Sequence, residues 1–350
     1  MEAYLLENIW FFLWGLLWAI YFALDGFDFG IGMLSPAIGL SSEKERDTMH
    51  LVTGPVWDGN QVWLITAGGV TFAAFPLAYA VMFSSLYTAL LLLLLMLILR
   101  GAASVLRHQS QCGVWRQAWD IIVAVASFTA ALLLGVAFSN IFRGLPLDAN
   151  HLFQGCQILG LTSNTLSLLH PYCLLGGVLF VVMFALHGAM YLTWRVSGDL
   201  SGKSLMVAKV LWPAFMVIFL IYVVLTFIFG AVFFYNYTTY PLLLGLPLAC
   251  VVAFLAGGHY LYRSPNAKTA FIYNGVGIIT LTLTGVAGIY PYLLPSRLNL
   301  DWSLSIKNAS STPMTLSIML AAALVFVPIV ILYQWWAHRR LAHTLNAEYE

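Results

Sequence analysis

Nine long apolar stretches divide this chain, and they constrain its fold more than any other feature. They cover residues 8–34, 54–75, 77–106, 115–142, 170–194, 206–234, 240–262, 268–293 and 314–337. A helix of about 20 apolar residues crosses the hydrocarbon core of a bilayer, which is roughly 30 Å thick. Only 8% of the 350 residues are charged, far fewer than in a soluble domain of this size. We therefore expect an all-α integral membrane protein with about nine transmembrane helices.

The connections between these stretches predict how the helices are grouped. Two connections are long, at residues 143–169 and 294–313, and the others are short. Short connections are typical of helix bundles, so we expect two four-helix bundles and one peripheral helix. The predicted units are a first membrane bundle (1–142), an outer loop (143–169), a second membrane bundle (170–293), and an outer loop with the ninth span and a cytoplasmic tail (294–350).

Lysine and arginine residues are concentrated on one side of these spans. Ten lie in the loops after the first, third, fifth and seventh spans or in the C-terminal segment, and three lie in the opposite loops. Because positive residues favour the cytoplasmic side, we expect the N-terminus outside and the C-terminus in the cytoplasm. Fifteen basic and fourteen acidic residues nearly cancel, which argues against a nucleic-acid partner. The four cysteines have no metal-binding spacing, so no metal site is expected.

Asp25 and Asp28 lie inside apolar sequence, where a carboxylate is costly and usually has a function. Their spacing of three residues places them on one face of a helix. Gly26, Gly30 and Gly32 offer small surfaces that let another helix approach closely. One interpretation makes the acids a proton relay or an ion pair. The other makes them acids at the membrane boundary that face water, and Asp28 fits this second interpretation better than Asp25.

Asp58 begins the second span beside Asn60 and Gln61, between two tryptophans. An acid is favoured at a helix N-terminus by the helix dipole, which is a sufficient structural explanation. The neighbouring amides also make a polar cluster of the kind that a proton entry needs. We expect Asp58 to be the strongest candidate for proton transfer, ahead of Asp25.

Arg100 follows a run of 23 uncharged residues and lies six uncharged residues before Arg107. Its side chain either extends to the interface or is buried and seeks an anion, either a carboxylate of this chain or a group on a partner's cofactor. Asp120 stands four residues after Arg116, so an ion pair along one helix is expected. His187, with Met183 and Met190 nearby, is a weak candidate for haem ligation, and a hydrogen bond between helices is the stronger expectation.

Two segments, DGFDFGIGML (25–34) and WDGNQVWLITAGG (57–69), resemble signatures of subunit II of cytochrome bd-type quinol oxidases. The similarity extends over essentially the whole chain. It continues in residues 135–140, 168–177, 187–192, 312–320 and 327–333.

This resemblance implies one subunit of a respiratory complex in the bacterial cytoplasmic membrane that oxidises quinol and reduces O2 to water. It implies a partner, the haem-bearing subunit I, which would carry two haems b and one haem d and leave none ligated by this chain. No catalytic residue is then expected in this chain. Quinone, lipid and a small accessory membrane subunit are further expected partners.

The resemblance also assigns roles to individual residues. Asp25, Asp28, Asp58 and Asp120 match acids of a proton pathway from the cytoplasm. Arg100 matches an arginine near the subunit boundary and the haem region, and Trp63 matches the start of a hydrophobic oxygen route. The chain departs from the family in three places. Val105 stands where some members have an acid, His187 stands where a relative has glutamine, and the connection at 235–240 is shorter than in some members.

Two other classes of function remain open from the residues alone. A secondary transporter could use Asp25, Asp58 and Arg100 as an ion site near the middle of the membrane, with helices broken at glycines. A purely structural membrane partner would use the same acids only to pair helices.

Overall fold

The computed structural model describes residues 2–38, 43–158, 161–230, 232–264 and 266–347. Within these ranges the chain is almost entirely helical. The long helices are α1 (Glu2–Ile38), α3 (Trp57–Ala74), α5 (Tyr87–Leu106), α6 (Gly113–Arg143), α8 (Pro171–Arg195), α9 (Gly198–Phe229), α11 (Gly245–Tyr262), α12 (Ala267–Ile289) and α14 (Pro313–Ala347). The short helices are α2 (Glu43–Thr53), α4 (Pro76–Ser85), α7 (Asn164–Leu168), α10 (Tyr235–Thr239) and α13 (Ile306–Ala309).

Eight helices of the described chain are long and apolar enough to cross a membrane, which confirms the all-α, multi-span membrane class. They cover residues 4–36, 87–109, 113–143, 171–195, 198–229, 241–262, 267–289 and 313–337. The predicted second span corresponds to α3, which has 18 residues and a polar first turn and is not among the eight. The predicted third span is two helices, because the chain leaves helical geometry at Leu86 between α4 and α5.

Helix α1 is the centre of the fold and packs against α3, α6, α8 and α12. Gly30 of α1 meets Gly188 of α8, where a methyl group on Gly188 would lie 2.6 Å from the Gly30 carbonyl carbon. This close approach confirms the expectation that the glycines of α1 admit a neighbouring helix. One apolar core includes residues of both predicted bundles. The grouping of the helices into two bundles, with boundaries at residues 142 and 170, stays a prediction.

The two long connections lie together at one end of the helices. Leu145 donates its N–H to the carbonyl of Pro295, and Arg297 donates to the carbonyl of Leu145, both at 2.9 Å. Two small antiparallel pairs complete this end, β1 (Cys156–Ile158) with β2 (Leu161–Ser163) and β3 (Tyr292–Leu294) with β4 (Leu304–Ser305). Helix α2 lies at the opposite end, after α1. Helix α14 is at the periphery, with only 6% of its most apolar window buried.

Candidate functional site

Asp25 and Asp28 both approach Arg100 of α5 from one face of α1, which confirms the predicted shared face. Arg100 Nη2 lies 2.5 Å from Asp25 Oδ1 and 4.0 Å from Asp28 Oδ2. Arg100 Nη1 is 3.4 Å from Asp25 Oδ2. Asp25 is fully buried and Arg100 is 7% exposed. The guanidinium lies 4.3 Å from the ring centre of Phe29, so Arg100 is a buried cation and does not extend to the interface.

Asn60 of α3 completes this cluster, which we call the acid–arginine cluster (Asp25, Asp28, Asn60, Arg100). Its amide donates to Asp28 Oδ2 at 2.7 Å. Asp28 is 3% exposed, so the expectation of a boundary acid is wrong. Asp28 Oδ1 is buried and has no hydrogen-bond partner among the described residues. The cluster contains two carboxylates and one guanidinium. Buried charges need to be paired. The single guanidinium balances only one of the two carboxylates, so the other carboxylate can be neutralised by binding a proton.

A cavity of about 500 Å³, lined by both polar and apolar side chains, connects the acid–arginine cluster to α2. Its polar lining residues are Asp28, Ser35, His50, Thr53, Arg100, Ser104 and His108. Ser35 Oγ is buried without a partner in the described chain, like Asp28 Oδ1. Buried polar atoms in a cavity of this size are normally satisfied by ordered water. The cavity is therefore suited to hold a hydrogen-bonded water chain that ends at Asp28.

Asp120 lies in an ion network between α2, α5 and α6. Its carboxylate is 2.6 Å from Arg107 Nε, 3.0 Å from His50 Nε2 and 3.1 Å from Arg46 Nε. Arg107 also reaches Asp47 at 2.5 Å. The expected pair between Asp120 and Arg116 is wrong, because Arg116 binds Glu43 of α2 at 2.6 Å. The α2 network (Arg46, Asp47, His50, Arg107, Asp120) had not been expected. The alternating charges at spacings of three to four residues in 43–50 are the signal that could have predicted it.

Asp58 does not join the acid–arginine cluster. It is exposed in the first turn of α3, while Asn60 of the same turn is 1% exposed and binds Asp28. This position fits the helix-dipole explanation. The structure therefore brings Asp25 and Asp28 together, and it leaves Asp58 at the surface of the subunit.

Trp63 links α3 to the peripheral helix α14. Its indole N–H donates to Gln334 Oε1 at 2.9 Å, and Gln334 Nε2 donates to the carbonyl of Gly59 at 3.0 Å. The indole is 5% exposed. An apolar groove of about 600 Å³ lies between α1, α3, α4, α5 and α6, with Gly68 and Gly69 at its wall. An oxygen route beginning at Trp63 stays a prediction.

His187 joins three helices through both ring nitrogens. Nε2 is 3.1 Å from the carbonyl oxygen of Ala23 in α1, and Nδ1 is 3.0 Å from the amide of Asn274 in α12. The ring stacks on Phe271 at 4.4 Å. Both nitrogens are therefore used in hydrogen bonds, which is the arrangement of a histidine between helices. The described residues contain no group of three or more His, Cys, Asp or Glu side chains that could hold a metal ion.

A second polar cluster is buried between α6, α8 and α9, and we call it the hydroxyl cluster (Ser139, Tyr172, Tyr222, Thr226). Tyr222 Oη is 2.8 Å from Ser139 Oγ and 3.1 Å from Tyr172 Oη. Tyr172 Oη is 3.0 Å from Thr226 Oγ1. The two tyrosine rings stack at 5.0 Å. These contacts connect α6, α8 and α9 through neutral groups only.

Comparison with known proteins gives consistent matches along the whole chain. The family described as cytochrome bd terminal oxidase subunit II matches residues 6–341. Cytochrome bd-I ubiquinol oxidase subunit 2 of Escherichia coli K12 is 32% identical over 369 residues, covering 98% of this chain and 96% of the relative. Cytochrome bd ubiquinol oxidase subunit 2 of Bacillus subtilis is 31% identical over 344 residues, covering 97% of each.

A solved structure has the same fold. A chain of the bd oxidase from Geobacillus thermodenitrificans superposes with a TM-score of 0.75, covering 95% of this chain and 98% of that chain. The sequence identity is 15%, so this match supports the architecture and carries no residue assignments.

Proposed function

The chain belongs to the cytochrome bd terminal oxidase subunit II family, and on that premise we propose that it is the second subunit of a quinol:O2 oxidoreductase complex. The relatives are named as subunits of ubiquinol oxidases and match over nearly their full length. These names favour the oxidase over a secondary transporter with the same buried acids. The proposed complex lies in the bacterial cytoplasmic membrane, with the α2 end of this chain on the cytoplasmic side.

This subunit leaves the redox chemistry to its partner. A haem needs axial ligands, and His187, the candidate that the sequence offers, uses both nitrogens within the chain. The residues present therefore do not fit haem ligation at that position. We assign the haems, the quinol-oxidising site and O2 reduction to the haem-bearing subunit I. The isolated chain is then expected to have no oxidase activity.

The contribution of this chain is a proton route from the α2 end to the acid–arginine cluster. One observation supports it above all: Asp28 Oδ1, which has no hydrogen-bond partner among the described residues, lies where a cavity of about 500 Å³ with polar lining residues meets a buried pair of acids. Water in such a cavity can pass protons to Asp28, and Arg100 sits within 4.0 Å of both acids. The positive charge of Arg100 therefore changes the free energy with which either acid binds a proton. Reduction of O2 to water consumes protons, so a route of this kind serves the reaction.

The proposal assigns different roles to the four expected pathway acids. Asp25 and Asp28 receive protons inside the membrane, and Asp120 organises the entrance through its contacts with Arg46, Arg107 and His50. Asp58 lies outside the route within this subunit, at a surface that the partner subunit can cover. The apolar groove next to α3 and α5 is the proposed space for O2, which prefers apolar surroundings.

The test compares Asp28→Asn with Asp58→Asn in the purified complex, using preparations whose haem spectra match the wild type. Asp28→Asn keeps the hydrogen bond to Asn60 possible but removes the titrating group. We expect quinol oxidation to slow by about 10-fold or more, because general acid–base roles contribute about 10²–10⁴-fold. Asp58→Asn is expected to have a smaller effect. Wild-type turnover and proton uptake in Asp28→Asn would contradict the route and leave a structural role for the acids.

A further inference from the structure

His50 belongs both to the α2 network and to the cavity that meets the acid–arginine cluster. Its Nε2 is 3.0 Å from Asp120 Oδ1, and its ring lines the same cavity as Asp28. We propose that His50 carries protons from the α2 network into this cavity. The inference rests on the proposed proton route and names the residue through which protons enter it.

The geometry suits the chemistry of an imidazole. Since Nε2 is engaged by Asp120, Nδ1 is the nitrogen that can exchange a proton with water in the cavity. With Nε2–H donated to the Asp120 carboxylate, Nδ1 takes a proton from water at the exposed edge of the ring and forms an imidazolium. Nδ1 then releases that proton to water in the cavity, so the ring returns to the same neutral tautomer with one proton moved. Histidine is the side chain that changes protonation near neutral pH without large perturbation. The side chain of His50 is 12% exposed, so it is largely enclosed but still reaches the surface.

The charges that face His50 are nearly balanced. Arg46 and Asp47 come from α2, Arg107 and His108 from the segment after α5, Asp120 from α6, and Asp28 of α1 lies across the cavity. The two arginines hold the Asp120 carboxylate against the imidazole. This balance lets the ring gain and lose a charge without leaving any neighbouring ion unpaired.

His259 of α11 provides a control outside the cavity. It is exposed, and the residues that line the cavity do not include it. A general effect of removing a histidine from this subunit would therefore affect both His50 and His259, whereas proton transfer through the α2 network requires His50.

The experiment uses the purified oxidase complex with His50→Ala, His50→Asn and His259→Asn. We expect both His50 variants to slow turnover and proton uptake by about 10-fold or more, with unchanged haem spectra. Their rate should fall more steeply as the pH rises, because free protons become scarce. Imidazole added to the buffer should restore His50→Ala, and His259→Asn should behave like the wild type.

The other outcomes separate this inference from the proposed route. Wild-type rates in His50→Asn together with a slow Asp28→Asn would overturn the role of His50 and leave a route with another entrance. A slow His50→Ala that imidazole does not restore, with a normal His50→Asn, would show a packing role and also overturn it. Wild-type rates in both His50→Asn and Asp28→Asn would overturn the route itself.

Discussion

Two regions of the molecule each bury a polar cluster, and the clusters differ in charge and in surroundings. The acid–arginine cluster has two carboxylates for one guanidinium, an Asp28 oxygen without a hydrogen-bond partner among the described residues, and a cavity of about 500 Å³ with polar lining residues. The hydroxyl cluster is neutral, its hydroxyls bind one another, and it lies beside an apolar cavity of about 780 Å³. Burial alone therefore does not indicate function. In the function that we propose, an excess of charge beside a cavity with polar residues distinguishes a site that transfers protons from one that only fixes helices.

The largest effect on stability is expected from Arg100→Leu. This change leaves Asp25 and Asp28 buried without their cation, and breaking a buried pair costs about 3–5 kcal/mol. We expect a large loss of assembled complex, measured by yield and by thermal unfolding in detergent. Asp25→Asn together with Arg100→Leu should recover part of the loss, because it removes one of the two carboxylates. A stable Arg100→Leu complex would contradict the charge argument.

Tyr222→Phe probes the hydroxyl cluster and should have an intermediate effect. It removes an O–H that contacts Ser139 and Tyr172, and unsatisfied buried partners cost about 1–3 kcal/mol. We expect lower thermal stability with normal quinol oxidase turnover once the surviving complex is counted by its haem absorbance. A selective loss of turnover in this variant would remove the difference between the two clusters.

Lys203→Ala should have a small effect. Lys203 pairs with Glu45 at 2.7 Å and with Asp199 at 2.9 Å, where its side chain is 27% exposed. Ion pairs of this kind contribute about 0–1 kcal/mol and are screened by salt. We expect a slight decrease in melting temperature that disappears in high salt. A loss comparable to that of Arg100→Leu would mean that exposed and buried ion pairs contribute equally.

The smallest effect is expected at Asp148, an exposed carboxylate in the loop 143–169. The N–H of Leu152, followed by the N–H of Asn150, lowers the pKa of this carboxyl. Because this carboxyl has a lower pKa in the folded state than in the unfolded state, its ionised form stabilises the loop at pH values above the unfolded pKa. This contribution is lost as the pH falls through the folded pKa. Proteolysis of the loop should therefore increase at acidic pH. Asp148→Asn should weaken that pH dependence, and an unchanged profile would contradict the assignment.

The sequence allowed much of the fold and the family to be predicted, because long apolar runs and two signature segments carry that information. The resemblance of residues 25–34 and 57–69 to subunit II is confirmed by the family match. The break at Leu86 was not predictable, because apolar sequence continues across it.

The site was predictable only where one helix defines it. The spacing of Asp25 and Asp28 placed them on one face, but their partner Arg100 is 75 residues away and two alternatives remained open. Asn60 and Asp58 share a helix turn, and packing against α1 alone decides which of them is buried. In the hydroxyl cluster, Ser139 contacts Tyr222 across 83 positions of the sequence without any charge pattern, so nothing local indicated the cluster.

Redox-difference infrared spectroscopy of the complex can detect proton uptake at the acid–arginine cluster. A carboxyl group that gains a proton during turnover gives a C=O band that shifts in D2O. We expect such a band in the wild type and in Tyr222→Phe, and we expect it to be lost in Asp28→Asn. A band that is unchanged in Asp28→Asn and in Asp25→Asn would contradict proton uptake at the acid–arginine cluster.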